Sequence, residues 1–502
     1  MNEAGNLSTT LDPKDWPAMR TLGHQMIDDM MDYLENIGSN PVWQKIPAEV
    51  KSSFESRVPM DPSSVETVYE EFKSTILPYT KGSIHPRYFA WVEGTGTPLG
   101  VLAEMLAAAM NPNVTIGEHV AMYVDEQVVN WCKQIMNYPA TASGILLSGA
   151  SMANITALNV ARNTQLRKNV RKEGVRAVPG QMLMYCSTET HSCIQKAAET
   201  IGLGTDAVRK ISVNDDYQIN LEELKETIEK DLAAGHFPFC IIGNAGTVNT
   251  GAIDPLDELA VICAQYDLWL HIDGAFGAFA KLVPGYAKKL QAIENADSVA
   301  FDLHKWMYMP YEIACVLIKN RQAHRDSFAV TPNYLVAEQR GLAGGPDPIG
   351  NYGMELSRSF KALKVWMSLK EHGLNKYAES INKNILQAFY LGTLVESQSC
   401  LELLTPVTLN IVCLRYITKV FTDKSAGLAQ NEDLTLLNKE ILIQLQEQGI
   451  ASPSSTLLKG RYAIRVCISN QRTKKADLDL LIKEIVRIGD EISSMQKQKD
   501  KP

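Results

Sequence analysis

Four positions in this chain carry side chains or backbone groups that together suit one kind of chemistry. Lys305 follows the apolar run DSVAFD by three residues. A lysine at the end of a buried strand can have its pKa lowered by desolvation, which frees the amine to form a Schiff base. Asp273 ends the run LWLHID. A buried aspartate needs a cationic partner, and a protonated heterocyclic nitrogen would serve. Ser148-Gly149-Ala150-Ser151 stands where a strand passes into a helix, and free N–H groups at a helix start bind phosphate. His191 follows the run MLMYCSTET and offers a flat ring for stacking. The set describes a pocket for a ligand with an aldehyde, a pyridine nitrogen and a phosphate. Each element alone has a plain structural reading: an exposed lysine, an aspartate cap, a Ser151 helix cap or a hydrogen-bonded histidine. The inference rests on their joint occurrence at strand ends.

Those ends belong to a recognisable pattern. From about residue 83 to 396, the short apolar runs GILLSG, MLMYCS, FCIIGNAG, LWLHID, DSVAFD and IACVLIK alternate with helical stretches. Buried apolar strands separated by helices predict an α/β domain with a doubly wound, mostly parallel sheet. Ligands in such sheets sit beyond the carboxyl ends of the strands. Residues 1–82 predict a helical segment, with Met19, Leu22, Met26, Ile27, Met30 and Leu34 at helical spacing. Its apolar stripe needs something to pack on, and a partner subunit is the expected candidate. RGLAGGPDPIGNYG at 340–353 is dense in turn formers and suggests a mobile lid. Residues 397–502 hold two candidate strands and two amphipathic helices, a small α+β domain.

Bulk properties exclude several classes. The 502 residues exceed one core, so two or three domains are expected. A net charge of -8 with no Lys/Arg stripe argues against a nucleic-acid partner. The nine cysteines are scattered without a Cys-x-x-Cys pair. They read as small buried hydrophobes in a reducing compartment, with no metal site expected. The polar N-terminus does not look like a targeting peptide, and no apolar run reaches membrane-spanning length. A cytoplasmic protein with no membrane association is expected.

HIDGAFGAF, ADSVAFDLHKW and ETHSCIQKAAETIG resemble the signature segments of the group II pyridoxal 5'-phosphate (PLP) dependent amino-acid decarboxylases. The likeness covers nearly the whole chain and is closest to the aromatic-L-amino-acid branch. It implies the aspartate-aminotransferase-like fold (fold type I) of the PLP-dependent transferases, and a homodimer with shared active sites. Carried over by position, it implies that Lys305 holds PLP as a Schiff base and Asp273 pairs with the pyridine nitrogen. His191 would stack on the ring, Ala150, Ser151 and His304 would bind the phosphate, and Thr247 would lie near the ring. Tyr334, in TPNYL, matches the tyrosine thought to protonate the carbanion left by CO2. Trp91 and Tyr88, in HPRYFAWVEGTGTP, are the candidate substrate-binding residues. Two departures stand out: Glu93 can meet a basic substrate side chain or be a solvated loop charge, and Asp302 stands where the family more often has a neutral residue. The implied reaction is decarboxylation of an L-amino acid, aromatic by branch, to an amine and CO2. A PLP-dependent aldehyde synthase, a decarboxylase of a non-aromatic amino acid and a catalytically silent binding protein are the alternatives.

Overall fold

The computed structural model describes residues 10–166, 170–175, 180–330, 338, 340–417 and 427–499. Among the described residues, twelve strands form two sheets. They are β1 (Tyr88–Phe89), β2 (Ser143–Leu147), β3 (Met182–Ser187), β4 (Val208–Ile211), β5 (Phe237–Asn244), β6 (Trp269–Asp273), β7 (Ser298–Asp302), β8 (Ala314–Ile318), β9 (Leu401–Leu403), β10 (Ile411–Tyr416), β11 (Ser452–Leu458) and β12 (Arg461–Cys467). The larger sheet has the order β2-β8-β7-β6-β5-β3-β4, and only β8 runs against its neighbours.

Every residue of β3, β6, β7 and β8 is buried, as a sheet covered on both faces requires. Side-chain alternation sends successive residues into different cores. Met184, Ile242 and Val316 join a cluster with the helices Ala150–Gln165 and Cys193–Thr200. Tyr185, Ile241 and Leu317 face the opposite core with Val128, Leu259 and Val365. The six strands expected in this region are present, and β4 (sequence VRKI), which was not anticipated, forms the edge beside β3.

The smaller sheet has the order β1-β11-β12-β10-β9, with β1 parallel to β11. Its core takes Phe89 from β1 and Ala388, Leu391 and Val395 from the helical stretch Ala362–Glu396. The packing therefore does not divide at 396/397. That stretch is two helices joined at Gly373, whose φ of 67° suits a residue without a Cβ. Ala362, Val365, Tyr377, Ile381 and Ile385 pack into the large sheet's core, and Ala388, Leu391 and Val395 into the small sheet's.

The N-terminal helix Trp16–Glu35 is capped by Asp15, which accepts the Ala18 N–H at 3.0 Å. Of its six spaced apolar residues only Leu22 is buried within the chain. The Gly/Pro-rich 340–353 stretch, expected as a lid, is anchored at its far end. Tyr352 is buried in a core cluster, and its hydroxyl donates to Asp347 at 2.6 Å.

Arg465 of β12 ties the sheets together. This buried guanidinium donates to the backbone carbonyls of Trp91, Val248 and Asn249. Arg465→Ala takes a guanidinium donor from three carbonyls, leaving Asn249 only the Cys413 thiol at 3.4 Å, and each hydrogen bond to a charged donor contributes about 1.5–3 kcal/mol. We expect a loss of about 3 kcal/mol or more in urea unfolding. An unchanged midpoint would contradict this role for Arg465.

Candidate active site

β5, β6 and β7 end side by side at Asn244, Asp273 and Asp302. Beyond them lies a cavity of about 380 Å³, within the range of small-molecule sites. His191, Asp273, Lys305, His304, Ala150 and Ser151 all line it. The strand order thus brings together residues far apart in sequence.

Asp273 lies at the back of the cavity, 5% exposed. Its Oδ1 accepts the Ala275 N–H at 3.1 Å and its Oδ2 accepts Asn154 Nδ2 at 3.2 Å. No Lys, Arg or His among the described residues forms an ion pair with it. Burial raises its carboxyl above the usual range, opposed by the Ala275 N–H and by the charges of Lys305 and His191.

A buried chain of hydrogen bonds fixes Asn154. Because Asn154 donates to Asp273, its Oδ1 accepts from His271 Nε2 at 2.8 Å. His271 Nδ1 is then the acceptor and takes the Ser298 hydroxyl hydrogen at 2.8 Å. Ser298 Oγ in turn accepts the Trp269 indole N–H at 2.8 Å. The directions are mutually consistent and require a neutral His271, whose pKa burial lowers to about 3. The sequence carried a faint signal for this, since His271 and Asp273 lie two residues apart on one strand face.

Lys305 departs from expectation. Burial alone would lower its pKa, but Asp302, with Oδ2 at 2.8 Å, and the more distant Asp273 outweigh it, and the ammonium is favoured. The segment carrying Lys305 is held by Asn384, which accepts from Trp306 Nε1 at 3.1 Å and Tyr308 OH at 2.7 Å. His191 is open to solvent, and its Nδ1 accepts the Cys193 N–H at 3.2 Å. Although the residue keeps solvent exposure, loss of hydration around the ring lowers its pKa, partly offset by Asp273, and the ring lines the cavity.

The remaining candidates divide. Trp91 lines the cavity with a φ of 49°, held by Ser454 Oγ on its N–H and by Arg465 on its carbonyl. Gly94 lets this loop approach the Lys305 turn, because a Cβ there would lie 1.5 Å from the His304 carbonyl oxygen. Tyr88 does not line the cavity: it is buried and donates to Glu93 Oε2 at 3.2 Å. Glu93 is no solvated loop charge, since Lys81 pairs with it as well. Thr247 also turns away, hydrogen-bonded through its hydroxyl to Thr250 at 2.9 Å, while its neighbours Gly246 and Val248 line the cavity. Phe276, which sequence reasoning missed, adds an apolar wall. Tyr334 lies outside the described residues.

The residues fit the inferred ligand in type at three points: an amine for an aldehyde, a buried acid with no ion-pair partner among the described residues for a ring nitrogen, and a helix start for a phosphate. Residues 47–417 match the family model described as "Pyridoxal-dependent decarboxylase conserved domain". The chain belongs to the pyridoxal-dependent decarboxylases. It is 32% identical over 478 residues to the aromatic-L-amino-acid decarboxylase of Bacillus atrophaeus, covering 95% of this chain and 96% of that one. It is 26% identical to a phenylacetaldehyde synthase of a Rosa hybrid cultivar, covering 94% and 93%. The crystal structure of Oryza sativa TDC with PLP and tryptamine superposes with a TM-score of 0.87 at 24% identity, covering 96% of this chain and 100% of that one. This fold-type I decarboxylase therefore uses pyridoxal phosphate to remove CO2 from an amino acid. No helix among the described residues is long and apolar enough to cross a membrane.

His271 and two other fully buried histidines set an acid limit. Burial lowers His271 and His324 to about 3 and His85 to about 4. The unfolded chain takes up protons near pH 6.5, which the folded chain refuses until the lowered values are reached. Stability is therefore complete above pH 6.5 and falls on acidification, by about 1.4 kcal/mol per pH unit for each histidine between pH 4 and 6. Urea midpoints should drop clearly from pH 7.5 to 5.5. Equal midpoints would show that these rings are not held neutral.

Proposed function

We propose that this enzyme decarboxylates an aromatic L-amino acid to the corresponding amine. The observation that carries the reading is the relay-fixed Asp273 sharing one cavity with Lys305. Trp91 and Phe276 support the aromatic assignment by lining that cavity with ring surface. Glu93, already engaged by Lys81 and Tyr88, offers no free charge for a basic substrate side chain.

The cofactor, when bound, supplies an electron sink for the pair left behind as CO2 departs. Lys305 would hold it covalently, Asp273 would keep a proton on the ring nitrogen, and His191 would pack on the ring face. Which substrate bond breaks depends on orientation, so the rigid walls at Trp91 and Phe276 act by positioning. Tyr334 is the proposed proton donor to the substrate carbon, by resemblance alone.

An aldehyde synthase is the second reading, favoured by the Rosa relative. The presence of both His191 and Tyr334 argues for the amine. We also infer a homodimer. Trp16, Met26, Val65 and Val68 of the N-terminal segment, and Val101, Met105 and Leu106 of the helix Pro98–Met110, expose apolar surface that a second copy would cover. Eight buried cysteines, none in a disulfide among the described residues, support a cytoplasmic, reducing location.

Lys305→Ala should lose the visible absorbance of lysine-bound cofactor and essentially all CO2 release; a variant that kept both would refute the assignment. With a panel of L-amino acids, the aromatic ones should yield amine and CO2 in equal amounts. Aldehyde with hydrogen peroxide as the main products would overturn the amine reading. Sedimentation equilibrium should report twice the chain mass, and a monomer would refute the dimer.

A further inference from the structure

The phosphate end of the cavity already holds an anion. Asp302 is 1% exposed. Its Oδ1 accepts the N–H of Ala150, the first residue of the helix Ala150–Gln165, at 2.6 Å. Its Oδ2 pairs with Lys305 Nζ at 2.8 Å and lies 3.7 Å from His304 Nε2. His304 Nδ1 is occupied by the Ile313 N–H at 3.1 Å, so the neutral ring carries its hydrogen on Nε2, facing Asp302. A helix N-terminus, an imidazole N–H and an ammonium are the donors a phosphate would recruit. In this chain all three converge on one internal carboxylate.

We propose that Asp302 is a built-in competitor for the phosphate of the cofactor, filling its cradle and setting how tightly the cofactor is held. The inference rests on the pyridoxal phosphate reading and adds a determinant that belongs to this chain's own residue at 302. A phosphate entering the cradle meets a buried carboxylate in a medium where like charges repel strongly. To bind, it must share or take over the Ala150 N–H, and Asp302 must give up part of its contact with that N–H and with Lys305. An asparagine at this position keeps the shape and removes the competing charge.

The test compares the full-length apo chain with Asp302→Asn, using three probes that separate phosphate from aldehyde. Tryptophan fluorescence and visible absorbance follow titration with pyridoxal phosphate and with pyridoxal, and calorimetry follows inorganic phosphate. The variant should bind pyridoxal phosphate at least about tenfold more tightly, as relief of a like-charge contact predicts. Its affinity for pyridoxal should change little, and it should bind inorganic phosphate more tightly than the wild type does. Equal or weaker binding of pyridoxal phosphate by the variant would overturn the proposal. So would an equal gain for pyridoxal, which would place the effect on Lys305 and not on the phosphate. If Asp302→Asn does not fold, Asp302→Ser is read by the same criteria. The cofactor reading fails separately, if the wild-type chain forms no lysine adduct with pyridoxal phosphate at all.

Discussion

Asp273 is an acid placed where water hardly reaches, with no cation from the described residues paired to it, and the architecture around the site follows from keeping it there. A buried carboxylate costs several kcal/mol unless hydrogen bonds and an opposite charge offset the loss of hydration. The chain supplies the hydrogen bonds through Asn154, His271, Ser298 and Trp269, all aligned in one direction. It leaves the opposite charge to be brought in. That division would suit the carboxyl end of β6, in the middle of the sheet, to a protonated nitrogen heterocycle.

The smaller sheet serves the same end from a distance. Arg465 fixes the carbonyls of Trp91 and Val248, and Ser469 donates to the Glu93 carbonyl at 2.6 Å. These bonds hold the loop 91–94 against the Lys305 turn, where Gly94 permits the close approach. The cavity wall at Trp91 is thus positioned by residues that do not line the cavity, and its shape depends on how the two sheets are joined.

How far the residues alone foretold this depends on the range of the interactions. Strands β3, β5, β6, β7 and β8 were legible because burial on both faces writes them as continuous apolar runs. β11 was not, because its SPSSTLL sequence is polar and its place comes from a hairpin with β12 and from pairing with β1 across more than half the chain. Lys305, Asp273 and His191 could be picked out by position at strand ends, yet the direction of the Lys305 shift could not, since it turns on how the Asp302 carboxylate is aimed. Thr247 and Tyr88 were misplaced for a similar reason: hydroxyl groups follow local partners, Thr250 and Glu93, which spacing does not reveal. Asn154 and Phe276 sit on a helix and a turn with no pattern of their own.

The mechanism turns on which side chain carries the cofactor. Reduction of the holoenzyme with borohydride, followed by proteolysis and mass mapping, reads that directly. One pyridoxyl label per chain is expected, on the peptide that contains Lys305. A label on another lysine, or none, would contradict it.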